Sequence, residues 1–162
     1  MSNDIYLESF RLRRRQGGSL KILLSVRPKW MEMILDGRKT LEYRRTMPRP
    51  HYDVTEAWFY ETAPVCMVVA HAYVSVWCGD VFDEHKGCLA RDEYDSYFKG
   101  AECAYGLHIV RLDKFEPPYR LECLGLKRPP QSWMYMPEVA KGKNACECVQ
   151  DVFLQRLVRV DG

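Results

Sequence analysis

The sequence predicts an α+β domain, a small mixed β-barrel flanked by about three helices. Three observations carry that prediction. Short segments rich in β-branched and aromatic residues recur along the chain, which is the signature of strands. Two amphipathic helical patterns separate them, and a third follows at the C-terminal end. The resulting order, β-α-β-β-β-α-β-β with brief connections, suits a small mixed barrel better than a doubly wound parallel sheet. The 162 residues suffice for one compact domain with one good core.

Each element has a local reason. Residues 1–18 form a basic appendage that ends in Gln16-Gly17-Gly18. Leu20 to Val26 is an apolar run of strand length. Pro28 opens a helix, where its fixed φ fits and its missing N–H costs nothing. Within PKWMEMILDG, Trp30, Met31, Ile34 and Leu35 share a face, and Gly37 stands where a C-terminal cap belongs. Thr40 to Arg45 alternates, with Leu41 and Tyr43 to one side and Thr40, Glu42 and Arg44 to the other.

The proline-flanked MPRPHYD is a loop. Residues 54–61 and 65–77 read as two strands, and the consecutive Trp58, Phe59 and Tyr60 require one ring to face outward. Cys78 to Gly87 is a turn-rich acidic connection. Leu89 to Phe98 reads as a helix, and Tyr105 to Leu112 as a strand in which His108 is structural. Tyr119 to Leu124 is a further strand candidate, and Arg128-Pro129-Pro130-Gln131-Ser132-Trp133 breaks the pattern. Asn144 caps a last helix with Ala145, Val149, Val152, Phe153 and Leu157 as its apolar stripe. The domain is thus expected over residues 19–140, with 141–162 as a C-terminal helical extension. No internal repeat is present.

Composition excludes several classes. No apolar run approaches the roughly 18 residues of a membrane span, and the N-terminus lacks the apolar core of a signal peptide, so the expected location is cytoplasmic and no membrane partner is implied. Seven cysteines are an odd number for a disulfide scaffold, so Cys66, Cys78, Cys88, Cys103 and Cys123 read as small buried hydrophobes. Neither the Cys146-x-Cys148 pair nor the four histidines has metal-site spacing. No metal and no cofactor are implied.

Net charge is +2, yet unevenly placed. Residues 1–50 hold twelve Lys or Arg against five Asp or Glu, and the remainder twelve against seventeen. Such an imbalance suits a local phosphate-binding face or, equally, a solvated basic segment, to which Arg11, Arg13, Arg14 and Arg15 contribute. That segment is also a candidate docking surface for a protein partner.

Chemistry concentrates in Gly37-Arg38-Lys39-Thr40-Leu41-Glu42-Tyr43-Arg44-Arg45. Two residues along a strand span roughly 6.5–7 Å, so Glu42 and Arg44 can converge on one ligand. Arg offers a planar fork and Lys a movable point charge for phosphate or a base edge. An ordinary exposed ion pair is the bland alternative, worth under about 1 kcal/mol. The segment is not a phosphate loop, because it follows a helix and the first glycine position is Met31 or Glu32. Arg27 and Lys29 either extend this basic face or sit on solvated surface. Gln131 either reads a base edge or closes a turn. Trp133 and Tyr135 either stack on a base or join the core. Asp83, Glu84 and His85 are further acid–base candidates.

Several segments in order resemble one bacterial subgroup of ASCH domains. Ser25-Val26-Arg27-Pro28-Lys29-Trp30 leads to the G-x-K-T-x-E-x-R run ending at Arg44. Tyr94 to Gly100 with Ala104 to Ile109 resembles the subgroup's YFKG region, and Arg128 to Tyr135 its PPQS-aromatic-x-Tyr segment. The resemblance implies a PUA-like β-barrel with a polar cleft at Lys39, Glu42 and Arg44, and RNA or a nucleotide as partner. Arg27, Lys29, Arg38, Thr40 and Gln131 join those three as binding candidates.

The resemblance also admits an enzyme, with Lys39 and Glu42 as catalytic candidates for a hydrolase acting on a modified nucleoside or on RNA. The family's small amidohydrolases use a Lys, a Thr three residues later and a Glu before a later helix. Here Lys39 matches, Glu42 replaces the Thr, and Gly87 falls nearest the third position. A lysine near pKa 10.4 is a poor base at neutral pH, so a charged Lys39 holding an anion is the simpler role.

Overall fold

The computed structural model describes residues 19–137. Its six strands form one curled, mixed sheet. The strands are β1 (Leu20–Val26), β2 (Leu41–Arg44), β3 (Val54–Glu61), β4 (Met67–Cys78), β5 (Tyr105–Tyr119) and β6 (Trp133–Tyr135), in the spatial order β2-β5-β4-β3-β1-β6. The β1–β3 pair is parallel, as a crossover through a helix requires. All other pairs are antiparallel.

Three helices flank the sheet. They are α1 (Pro28–Leu35), α2 (Glu84–Gly87) and α3 (Arg91–Phe98). Pro28 occupies the start of α1, and Gly37 takes φ +83° just past its end, a conformation that costs a Cβ-bearing residue strain. Asp83 caps α2 by accepting the Lys86 N–H at 2.8 Å. Glu93 accepts the Ala90 N–H at 3.0 Å and so closes the start of α3.

Both faces of the sheet are covered. On one, Ile22, Leu24, Phe59, Val74 and Leu107 pack with Met31 and Ile34 of α1. On the other, Leu23, Trp58, Tyr60, Val68 and Phe115 pack with Leu121 and Leu124 of a 3-10 turn. This double cover overturns the expectation of an outward ring at 58–60, since all three side chains are buried. A third cluster under α2 and α3 joins Leu41, Tyr43, Val81 and Tyr94.

Other expectations also change. β5 runs through Pro117 and Pro118 to Tyr119, and residues 121–124 are a 3-10 turn rather than a strand. Trp133–Tyr135 is a strand although two prolines precede it, because β1 offers it a free edge. Cys78 and Cys103 are not thiols but a disulfide, brought together because β4–β5 pairing sets Cys78 opposite Tyr105. Cys66 is exposed, and Cys88 and Cys123 are half-buried. The basic appendage, the helix expected from Asn144 and the Cys146/Cys148 pair lie outside the described residues. No helix among the described residues is long and apolar enough to cross a membrane.

Candidate functional site: a charged cleft at the open seam of the sheet

The sheet curls without closing, so its edge strands β2 and β6 face each other without main-chain pairing. Side chains bridge this seam. Arg44 Nη2 on β2 donates to the Ser25 carbonyl of β1 at 2.8 Å. Its Nη1 donates to the Ser132 carbonyl at 3.0 Å and Oγ at 3.3 Å. Trp133 Nε1 donates to Thr46 Oγ1 at 3.2 Å. A cavity of about 580 Å³ opens here, lined by Arg27, Trp30, Lys39, Glu42, Arg44, Arg45, Thr46, Tyr97, Gln131 and Ser132 among others.

The floor is an ion triplet. Glu42 Oε1 accepts from Arg44 Nη2 at 3.0 Å, and Glu42 Oε2 lies 3.4 Å from Lys39 Nζ. Lys39, Glu42 and Arg44 are only 3%, 7% and 6% exposed. One carboxylate between two cations leaves a residual positive charge in a poorly solvated place, where it acts more strongly than at the surface. The alternation of β2 explains the arrangement: Leu41 and Tyr43 fill the cluster beneath α2 and α3, while Glu42 and Arg44 project to the seam.

Lys39 is spoken for. Its Nζ donates to the Leu41 carbonyl at 2.6 Å and the Gly87 carbonyl at 2.8 Å, besides its contact with Glu42. Burial pulls its pKa below the ordinary lysine range, and Glu42 opposes that pull. Three acceptors around three N–H donors suit the ammonium and not the free amine.

Gly87 must be glycine. A Cβ there would collide with the Tyr43 ring, whose hydroxyl donates to the Asp83 carbonyl at 3.1 Å and accepts its N–H at 2.9 Å. The position nearest the amidohydrolase glutamate therefore supplies a main-chain carbonyl to Lys39, with no room for a side chain.

The sequence candidates divide. Arg27, Lys39, Glu42, Arg44 and Gln131 line the cleft. Lys29, Arg38 and Thr40 do not. Lys29 is exposed beside Trp30, its Nζ 4.6 Å from the ring centre. Arg38 pairs with Asp36 at 2.6 Å on the exposed turn. Thr40 is a main-chain anchor, its N–H donating to the Lys86 carbonyl and its carbonyl accepting the Ile109 N–H. Asp83, Glu84 and His85 also lie away from the cleft; Asp83 is engaged as the α2 cap. Among the described residues no three His, Cys, Asp or Glu gather as a metal site.

Local spacing missed Trp30, Arg45, Thr46, Tyr97 and Ser132. Tyr97 donates to the Tyr43 carbonyl at 3.3 Å, and burial raises its pKa. The usable signal for Tyr97 and Ser132 was their place inside the two downstream segments of family resemblance.

A curled α+β half-barrel with a polar cleft at its seam is the PUA-like architecture. No family model matches the chain. The ASCH domain-containing ribonuclease of Zymomonas mobilis is 31% identical over 131 residues, 74% of this chain and 87% of the relative. The crystal structure of ASCH from Zymomonas mobilis superposes with a TM-score of 0.63 at 27% identity, covering 83% of this chain and 94% of that one. A serine-to-alanine variant of ZmASCH gives 0.64 at 26% identity, over 85% and 97%. The chain belongs to the ASCH domain family.

Proposed function

We propose that the chain binds RNA in the seam cleft. The observation that carries this reading is the buried Lys39–Glu42–Arg44 triplet under a rim bearing Arg27, Arg45 and Trp30. The floor supplies a positive field, the exposed Arg27 and Arg45, the latter with Nη2 donating to the Lys99 carbonyl at 3.1 Å, supply N–H groups for phosphate, and the ring offers a surface for a base. The cleft is too small for a duplex and fits a strand whose nucleotides are splayed apart, as in loops and single strands. The relative named as a ribonuclease supports RNA as the ligand class.

Binding is tested by fluorescence anisotropy of a short labelled RNA against the full chain over a salt series. About three neutralised phosphates on a single strand give a log–log salt slope near −2. Arg27→Ala and Arg45→Ala should each weaken binding and shallow the slope, because both are exposed and neither holds the seam. Salt-independent binding, or none, refutes the proposal.

The relative's name favours a second reading, in which the chain also cleaves RNA. Lys39 is unsuited to proton transfer with its three donors engaged, so that role falls to Glu42. Cleavage of end-labelled RNA by the native chain but not by Glu42→Gln supports it. An intact substrate at excess native protein removes the reading and leaves binding untouched. Deacetylation of a modified cytidine is not proposed, since Glu42 stands in place of the family's Thr and Gly87 offers Lys39 only a main-chain carbonyl, with no room for a side chain.

A further inference from the structure

We propose that Glu42 is the residue that tells RNA from DNA in this cleft, by accepting a hydrogen bond from a ribose 2′-hydroxyl. The inference rests on the RNA-binding reading and adds which part of the nucleotide meets the floor.

The two floor cations, the obvious phosphate ligands by sequence, have no solvent-reachable N–H left for a ligand, since the one unpartnered donor, Arg44 Nε–H, is buried. Lys39 spends its three donors on Leu41, Gly87 and Glu42. Arg44 spends Nη1 on Ser132 and Nη2 on Ser25 and Glu42, while its Nε is buried away from solvent. These cations act on a ligand only through their field.

Acceptor capacity is different. A carboxylate offers about four lone-pair sites, and Glu42 uses one on each oxygen, for Arg44 and for Lys39. The remaining sites belong to a side chain that lines the cleft. Two cations also fix its orientation, so it presents a rigid acceptor. The floor of this positively charged cleft therefore asks its ligand for an O–H or N–H donor.

In nucleic acid that donor is either the 2′-hydroxyl or a base-edge N–H. The sugar is favoured by position. Arg27 and Arg45 on the rim engage backbone phosphates, and each 2′-hydroxyl lies on the ribose directly attached to a phosphate. A strand held by its backbone at the rim thus delivers ribose to the floor, and a carboxylate there repels the phosphate itself. A deoxyribose would leave a desolvated acceptor unmatched, a loss that corresponds to roughly tenfold to hundredfold in affinity. The same hydroxyl is what distinguishes RNA from DNA generally.

The test uses the full chain and a sugar-by-base panel: labelled octamers of riboadenosine and ribouridine, their 2′-deoxy forms and their 2′-O-methyl forms, measured by anisotropy. Both ribo-octamers should bind at least tenfold tighter than either modified sugar, whatever the base. Glu42→Gln should narrow that gap, changing the affinity for ribo strands relative to deoxy strands of the same base, and an unchanged gap in a folded Glu42→Gln overturns the assignment to Glu42. If Glu42→Gln fails to fold, by circular dichroism, the native panel alone decides. Equal affinity for ribo and deoxy strands overturns the inference while sparing the RNA-binding reading. A preference that follows the base and ignores the sugar overturns it in favour of a base-edge donor. Absence of binding to every strand removes both the inference and the reading beneath it.

Discussion

Arg44→Ala separates a ligand-binding arginine from one that holds the fold together. The native guanidinium makes four hydrogen bonds, to the Ser25 and Ser132 carbonyls, Ser132 Oγ and Glu42 Oε1. Truncation strands two main-chain carbonyls and half of a carboxylate that is 7% exposed. Removing one partner of a buried ion pair costs about 3–5 kcal/mol, and the seam loses its main bridge besides. For a domain of this size that lowers Tm on the order of 10–20 °C. The assay is thermal and urea unfolding of the native chain, Arg44→Ala, and the double variant Glu42→Leu/Arg44→Met. The double variant should be less stable than Arg44→Ala alone, because Glu42→Leu also removes the carboxylate beside the buried Lys39 ammonium and leaves that charge uncompensated. An Arg44→Ala protein within about 1 kcal/mol of native refutes the seam role.

Three further outcomes are expected. Gly87→Ala drives a Cβ into the Tyr43 ring and disturbs the carbonyl on Lys39, so it should destabilise by about 1–3 kcal/mol in urea unfolding. Replacing Cys78 and Cys103 by serine opens a loop of sequence separation 25; the chain-entropy limit is about 3.5 kcal/mol, and the β4–β5 pairing already closing its neck should hold the measured loss below that. His108 has its pKa lowered by burial and by the nearby Lys86. The unfolded chain therefore binds this proton more readily, and stability should fall as pH drops below about 6.5. In His108→Gln that fall should shrink, and an unchanged pH profile of Tm contradicts the assignment.

The triplet was legible because its three members lie within six residues and strand alternation fixes their side. What alternation could not tell was that both faces of β2 are buried, which turns an ordinary ion pair into a structural one. The same blindness applied to Trp58–Tyr60, where a second apolar layer from residues 115–124 covers the face expected outside. Pro129-Pro130 suggested an interruption, and the expected strands ended at Leu112 and began again at Tyr119. The chain instead carries β5 from Tyr105 through Pro117-Pro118 to Tyr119, and forms β6 after Pro129-Pro130. Cys78 and Cys103 meet through β-pairing at long range, for which no spacing rule exists. Ser132 and Tyr97 reach the cleft from distant segments, so local pattern had no purchase on them.

The neighbour relation of β1 and β6 has a consequence for biosynthesis. Leu24 pairs with Trp133, more than a hundred positions later, and Met136 donates to the Lys21 carbonyl. During translation the early strands can associate, but the pocket lacks one bank until Ser132 has left the ribosome tunnel. Nascent or prematurely terminated chains ending before that point would thus be incapable of holding a ligand there. Competence therefore arrives only after both banks of the pocket have been synthesised.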